Sequence, residues 1–272
     1  MSNTPPFPTP LPDGHPLLQP THSKNTVEVL GDSLVAQETA LSPGVYTSRS
    51  VLHRAIIGYY LAQGIMSMPV AWLTAGGGGA GKTFSLGVLE LRNLYTPAGK
   101  VMINADDIKE RIPEYRELVK LGDSRAAAIV HEESSQIAKD LLFEAARKKS
   151  ALVYDATLAN FTKGQKLIEN LQNVGYAIHL VAVTIHVPTA RARAEDRAKK
   201  SKRHVPFEDL VRAHWGFNES FPKYASMLGG NDRLYIFENS KENITEMLSS
   251  LDDLNNAPYL NRIDERSYTH KI

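Results

Sequence analysis

A chain of 272 residues with a net charge of +1 has no bulk attraction for nucleic acid or an anionic membrane. It has no cysteine, which excludes disulfides, zinc–thiolate centres and a thiol nucleophile. No apolar run reaches the roughly 20 residues of a membrane span, and the proline-rich start lacks the apolar core of a secretory leader, so a cytoplasmic protein is expected.

Residues 1–20 hold Pro5, Pro6, Pro8, Pro10, Pro12, Pro16 and Pro20, which forbids regular helix and favours an extended arm. A short amphipathic helix is expected within 23–41 around Leu30, Leu34 and Val35, and Ser42-Pro43-Gly44 reads as a turn. A helix over 47–64, capped by Ser48 or Ser50, would place Leu52, Ala55, Ile56, Tyr59 and Tyr60 on one face. Pro69–Ala75 is an apolar, partly β-branched strand, and Thr83–Leu94 has helical spacing.

Between them lies Gly76-Gly77-Gly78-Gly79-Ala80-Gly81-Lys82-Thr83, which fits G-x-x-x-x-G-K-[ST], the phosphate-binding loop. Glycines let backbone N–H groups turn inward around a polyanion, and the helix start adds about half a positive charge. Lys82 would reach the β- and γ-phosphates of ATP or GTP, Thr83 would ligate Mg²⁺, and Phe84 follows in the first helical turn.

Downstream, Lys100–Ala105 reads as a second strand, with Asp106 at its end. Pro113 then breaks the chain, Glu114–Leu121 is a short helix, and a long helix starts at Asp123 or Ser124 and runs to Lys148. Ala151–Asp155 is a third strand, 162–173 a helix, 176–187 a strand, and 189–202 a basic helix. A further helix runs from Pro206 to Tyr224. Gly229-Gly230-Asn231 turns, Arg233–Glu238 is the fifth strand, and Lys241–Leu254 is the last helix. The tail over 255–272 is polar. Strands alternating with helices predict an α/β fold, a P-loop kinase-like parallel sheet of about five strands with helices on both faces. Ligands of such sheets bind beyond the carboxyl ends of the strands, here Ala75, Asp106, Asp155 and Asn239.

Asp106 beside a phosphate loop is placed to accept the proton of an acceptor hydroxyl, or else to cap the following helix, a role that suits Asp107 better. Asp155 ends an apolar strand, as a Walker-B acid holding Mg²⁺ does, or it caps the strand end; Thr157 follows it. The basic helix carries Arg193 and Arg197 at i, i+4. Arg197 and Arg203 are the candidate pair closing over the γ-phosphoryl, the other charges forming a solvated face. Glu133 either points at substrate or lies on a helix surface. His179 and His186 lie on opposite faces of one strand and make no metal pair; Trp215, Phe217 and Tyr224 have the spacing of core residues.

In this order the motifs resemble the zeta toxin family of small-molecule kinases over about 47–254. The matching residues are Gly76–Thr83, Ile103-Asn104-Ala105-Asp106 with Pro113 and Tyr115, Glu133, Val153-Tyr154-Asp155-Ala156-Thr157, Arg197, and Arg203-His204-Val205-Pro206. The resemblance implies transfer of the γ-phosphate of ATP or GTP, with Mg²⁺, to the 3′-hydroxyl of UDP-N-acetylglucosamine, a nucleotide-sugar substrate whose loss starves peptidoglycan synthesis. It implies Asp106 as base, Arg197 and Arg203 as clamp, and Asn104, Glu133 and Thr157 toward the sugar nucleotide. It also implies an antitoxin, supplied in trans or in cis by residues 1–46. The sequence departs from the family pattern in its all-glycine-and-alanine loop, in Ile112 where histidine is usual, and in Asp155-Ala156-Thr157 for Glu-Gly-Thr. Those departures leave phosphoryl transfer intact and open the acceptor to other hydroxyls, such as the ribose of NAD, an antibiotic or a nucleic-acid 5′ end. The third reading, a non-catalytic nucleotide-binding module, has no use for an acceptor base.

Overall fold

The computed structural model describes residues 49–65, 69–201, 207–241 and 244–248. The arm over 1–46, its expected helix, Arg203 and the tail over 255–272 lie outside the described residues. The chain forms two units. One is drawn from Gly64–Met102, Ala145–Asp196 and Val205–Ile272, the other from Met1–Gln63, Ile103–Glu144 and Arg197–His204.

The first unit carries the sheet, in the order β2-β3-β1-β4-β5-β6. The strands are β1 (Val70–Ala75), β2 (Val101–Ile103), β3 (Leu152–Asp155), β4 (Ala177–Thr184), β5 (Arg233–Lys241) and β6 (Ile244–Leu248). β1 pairs in parallel with β3 and β4, and β4 with β5. The expected five-stranded parallel sheet is therefore present. β1 and β4 are buried residue after residue rather than alternately, because parallel strands are covered on both faces. The helices here are α2 (Lys82–Leu91), α7 (Phe161–Asn173), α8 (Val187–Ser201) as far as Asp196, and α9 (Phe207–Ala225). Asn160 caps α7, its side chain accepting from the Lys163 N–H at 3.0 Å. α9 buries Leu210, His214, Phe217, Phe221 and Tyr224, a stripe at alternating four- and three-residue steps. The core joins Trp72, Leu89, Val153, Val181, Val183, Leu210 and Phe237, with Trp72 stacked on Tyr235 at 5.5 Å.

One element differs from expectation. Ile244–Leu248, expected within the last helix, form β6, which runs antiparallel beside β5 in the register Phe237↔Met247 and Glu238↔Glu246. The open edge of β5 offers a row of unpaired backbone groups, and pairing it outweighs a weak helical pattern.

The second unit is helical. It holds α1 (Arg49–Leu61), α3 (Ala105–Lys109), α4 (Pro113–Lys120), α5 (Ala126–Ile129) and most of α6 (His131–Arg147). α1 buries Arg49, Leu52, Ile56 and Tyr60 along one stripe; Ala55 and Tyr59 are exposed, contrary to expectation. The single long helix expected from Asp123 is two, interrupted at Val130, whose ψ of 8° leaves the helical range. Pro113 opens α4 at a position whose N–H has no helical partner.

Candidate functional site

The phosphate loop leaves β1 at Ala75 and enters α2 at Lys82. Gly81 is the N-cap in the left-handed region (φ 91°), and a glycine cap brings no side chain to the orphan N–H groups of α2. An uncapped helix start keeps its donors for an anion. Lys82 Nζ folds back to donate to the Gly76 carbonyl at 3.1 Å and lies 3.5 Å from that of Gly77. It also lies 3.7 Å from Asp155 Oδ1. Asp155 is the cross-strand neighbour of Thr74, whose hydroxyl donates to Oδ1 at 2.6 Å. The lysine of the loop and the acid predicted at the end of β3 thus lie side by side, with β1–β3 register placing Asp155 beside Thr74.

The loop is packed from outside by groups far away in sequence. Gly76 N–H donates to the Thr157 carbonyl at 3.1 Å, so Thr157 touches the loop through its backbone while its side chain is exposed. Gly79 has φ 75°, and a Cβ there would lie 2.4 Å from the Ala190 carbonyl oxygen, so this position admits only glycine. His214 is buried, and its Nε2–H donates to the Gly78 carbonyl at 2.9 Å. Burial first, and then the charge of Lys82, lower the His214 pKa against the raising effect of that hydrogen bond, so the ring is neutral at pH 7. Asn239, buried at the end of β5, donates to the Ala80 carbonyl at 2.7 Å. Arg193 Nη1 lies 3.8 Å from where a Cβ on Gly81 would sit, which brings this arginine of α8 to the loop. Phe84 is 59% exposed on the outer face of α2.

In the helical unit, Asn104 is the N-cap of α3, its side chain accepting from the Asp106 N–H at 2.8 Å. That corrects two expectations. The strand stops at Ile103, so Asp106 lies in the first helical turn rather than at a strand end, and the cap is Asn104 rather than Asp107. Asp106 is partly exposed and accepts from Lys109 Nζ at 2.9 Å. Arg197 is exposed on α8.

Glu133 is fully buried, which corrects its reading as a surface acid. Arg49 donates to both of its carboxylate oxygens, and His53 Nε2 lies 2.7 Å from Oε1. Arg49 also donates to Glu114 Oε1 at 2.6 Å. Burial pushes the Glu133 carboxyl up, but the hydrogen bonds from His53 and Arg49 and their charges outweigh it and hold its pKa at about 2. Burial likewise opposes the Arg49 charge, and the two glutamates overcome it and raise its pKa. Nothing in the local sequence marked Arg49 or His53, which are 84 and 80 residues from their partner.

No group of three or more histidine, cysteine or acidic residues able to hold a metal occurs among the described residues. The Asp155 carboxylate beside Lys82, and the hydroxyl that Thr83 carries one residue after that lysine, are hard oxygens. They suit Mg²⁺, which binds through one or two protein oxygens and the phosphates of its nucleotide.

A family model described as zeta toxin matches residues 62–247. The chain is 28% identical over 214 residues to a protein of Arabidopsis thaliana named calmodulin calcium-dependent NAD kinase. That match covers 61% of this chain and 40% of the relative, so the chain spans about two fifths of the length of that protein. Among solved structures, one from the PezAT chromosomal toxin–antitoxin system of Streptococcus pneumoniae superimposes with a TM-score of 0.57 at 16% identity, covering 76% of this chain and 82% of the other. The AvrRxo1-ORF1:-ORF2 complex with ATP superimposes with a TM-score of 0.56 at 14% identity, covering 72% and 65%. These likenesses show a shared fold.

Proposed function

The chain belongs to the zeta toxin family, and we propose that it is a kinase moving the γ-phosphate of ATP or GTP onto a hydroxyl of a nucleotide-linked sugar. The observation that carries this reading is the placement of Lys82 between the Gly76 carbonyl and Asp155, at the uncapped start of α2. An incoming triphosphate would draw Lys82 off the Gly76 carbonyl onto its β- and γ-oxygens. The N–H groups of the loop and of α2 would hold the same phosphates. Asp155 and Thr83 would hold Mg²⁺, which when bound neutralises charge on the β- and γ-oxygens. The acceptor oxygen attacks the γ-phosphorus, the bond to the β,γ-bridging oxygen breaks, and the nucleoside diphosphate leaves. Asp106 takes the hydroxyl proton. Arginines stabilise charge on the transferring group. Arg197 and Arg203 hold that role by family position, and Arg193 is favoured by its closeness to Gly81.

UDP-N-acetylglucosamine, through its 3′-hydroxyl, is the acceptor suggested by the family, with Asn104, Glu133 and Thr157 on its side of the reaction. A ribose hydroxyl of NAD is the second reading, favoured by the relative named as an NAD kinase and by the departures at Ile112 and Asp155-Ala156-Thr157. Incubating the protein with γ-labelled ATP or GTP and a panel of nucleotide sugars and dinucleotides tests both. Label in UDP-N-acetylglucosamine supports the first, label in NAD the second, and label in neither removes both.

The structural relatives include a toxin–antitoxin system, which supports an antitoxin partner, separate or built from residues 1–46. No described helix is long and apolar enough to cross a membrane. Removing residues 1–46 should raise the transfer rate and the toxicity on expression if the arm masks the site. Unchanged rate and growth would remove the cis version.

A further inference from the structure

We propose that His214 and Asn239 are positioning residues of the nucleotide site, each fixing the direction of one phosphate-facing N–H. The inference rests on the reading of Gly76–Thr83 as a triphosphate site. A peptide unit is planar and trans, so its carbonyl and its N–H point in opposite directions. His214 captures the Gly78 carbonyl at 2.9 Å, which sends the Gly79 N–H the other way. Asn239 captures the Ala80 carbonyl at 2.7 Å, which does the same for the Gly81 N–H. Lys82 donates to the Gly76 carbonyl at 3.1 Å, and a bound triphosphate would draw that lysine onto its own oxygens. The two side chains from α9 and β5 then remain.

The loop needs such anchors more than most. Four consecutive glycines give it the largest backbone freedom a chain can have, and no proline stiffens it. A flipped Gly78–Gly79 or Ala80–Gly81 peptide would aim a carbonyl at the polyanion instead of a donor. Both anchors are buried, which makes each bond directional and costly to leave unmade. The ring of His214 also fills the space a Gly77 side chain would need, with its atoms 2.4 Å from a Cβ built there. Asn239 Nδ2 stands 2.2 Å from a Cβ on Gly81. Loop and anchors therefore fit as one assembly.

The test compares near-isosteric pairs in the full chain. His214→Phe keeps the ring and loses the donor; His214→Gln restores a donor at similar reach. Asn239→Asp keeps the shape and puts an oxygen against the Ala80 carbonyl. Affinity is measured calorimetrically for Mg²⁺-ATP and for Mg²⁺ with inorganic triphosphate, beside thermal unfolding without ligand. Should His214→Phe not fold, His214→Leu replaces it as the donor-free partner of His214→Gln. We expect His214→Phe and Asn239→Asp to weaken both ligands by about 10-fold, the worth of one hydrogen bond that fixes an N–H, about 1.4 kcal/mol. His214→Gln should recover most of that loss. Equal affinity in all variants overturns the proposal, as does a loss that follows unfolding temperature regardless of the donor, or one confined to ATP and absent for triphosphate. If the unmodified chain binds neither ligand, the triphosphate-site reading itself is overturned.

Discussion

The phosphate loop makes a prediction that separates two adjacent glycines. At Gly78 an added Cβ meets no heavy atom within 4 Å, and the residue is not among those with positive φ. Alanine there removes freedom from the unfolded chain without strain in the folded one, worth about 0.4–1 kcal/mol of added stability. At Gly79, φ 75° costs an L-residue about 1–2 kcal/mol, and a Cβ 2.4 Å from the Ala190 carbonyl forces the backbone to move. Overpacking of this kind adds about 1–3 kcal/mol, so Gly79→Ala should destabilise by about 2–5 kcal/mol. At roughly 2–4 °C per kcal/mol for a chain of this size, Gly78→Ala raises the unfolding temperature by about 1–4 °C, and Gly79→Ala lowers it by on the order of 10 °C. Thermal unfolding without ligand reads both. Gly78→Ala proving the more damaging of the two would refute the packing argument. A loss of ATP affinity by Gly78→Ala in a fully stable protein would instead place its open side toward the phosphates.

Asp106→Asn should bind Mg²⁺-ATP as the parent does while transferring phosphate at least ~10²-fold more slowly, measured in single-turnover assays; an unchanged rate removes the base assignment. Thr74→Val deletes the hydroxyl that donates to Asp155 at 2.6 Å, and the half-saturating Mg²⁺ concentration should rise about 10-fold. The Glu133 carboxyl has a folded pKa of about 2 against 4.5 in the free residue. A depressed carboxylate pKa contributes stability that is fully present above the unfolded value and is lost as pH falls through the folded one. Denaturant midpoints should therefore fall between about pH 4.5 and 2. Glu133→Gln should flatten that part of the profile and lower stability at pH 7, since it takes one carboxylate from the buried Arg49.

The fold was legible because its signals are local. An apolar run, a glycine loop and helical spacing follow one another within the 26 residues from Pro69 to Leu94, and the central strands β1 and β4 are near-continuous apolar runs. Boundaries were less so. Asn104 draws the chain into α3 two residues before the expected strand end, because an extended residue whose side chain accepts from the N–H two residues on starts a helix at once. β6 was hidden because its reason lies in β5, whose edge it covers.

At the site, the contrast between Lys82 and His214 shows where sequence reading stops. Lys82 is identified by its distance in sequence from glycines, since loop and helix geometry carry it to the phosphates. His214 acts on the same loop from 136 residues away, and no spacing rule links the two. Yet it left a trace. In α9 the buried positions Leu210, Phe217, Phe221 and Tyr224 define an apolar stripe, and His214 occupies the one step in it held by an imidazole. A polar group in a core position must find a partner, and burial makes that partner specific. Asn239 is likewise a buried polar side chain, two residues beyond the fully buried Phe237 of β5. His214 breaks the apolar stripe of α9, Asn239 is buried within the polar end of β5, and both bond a carbonyl of the phosphate loop. A hydrogen-bonding side chain in a core position is thus a readable sign that some distant backbone needs holding. Which backbone it holds follows only from the packing of α9 and β5 against the loop.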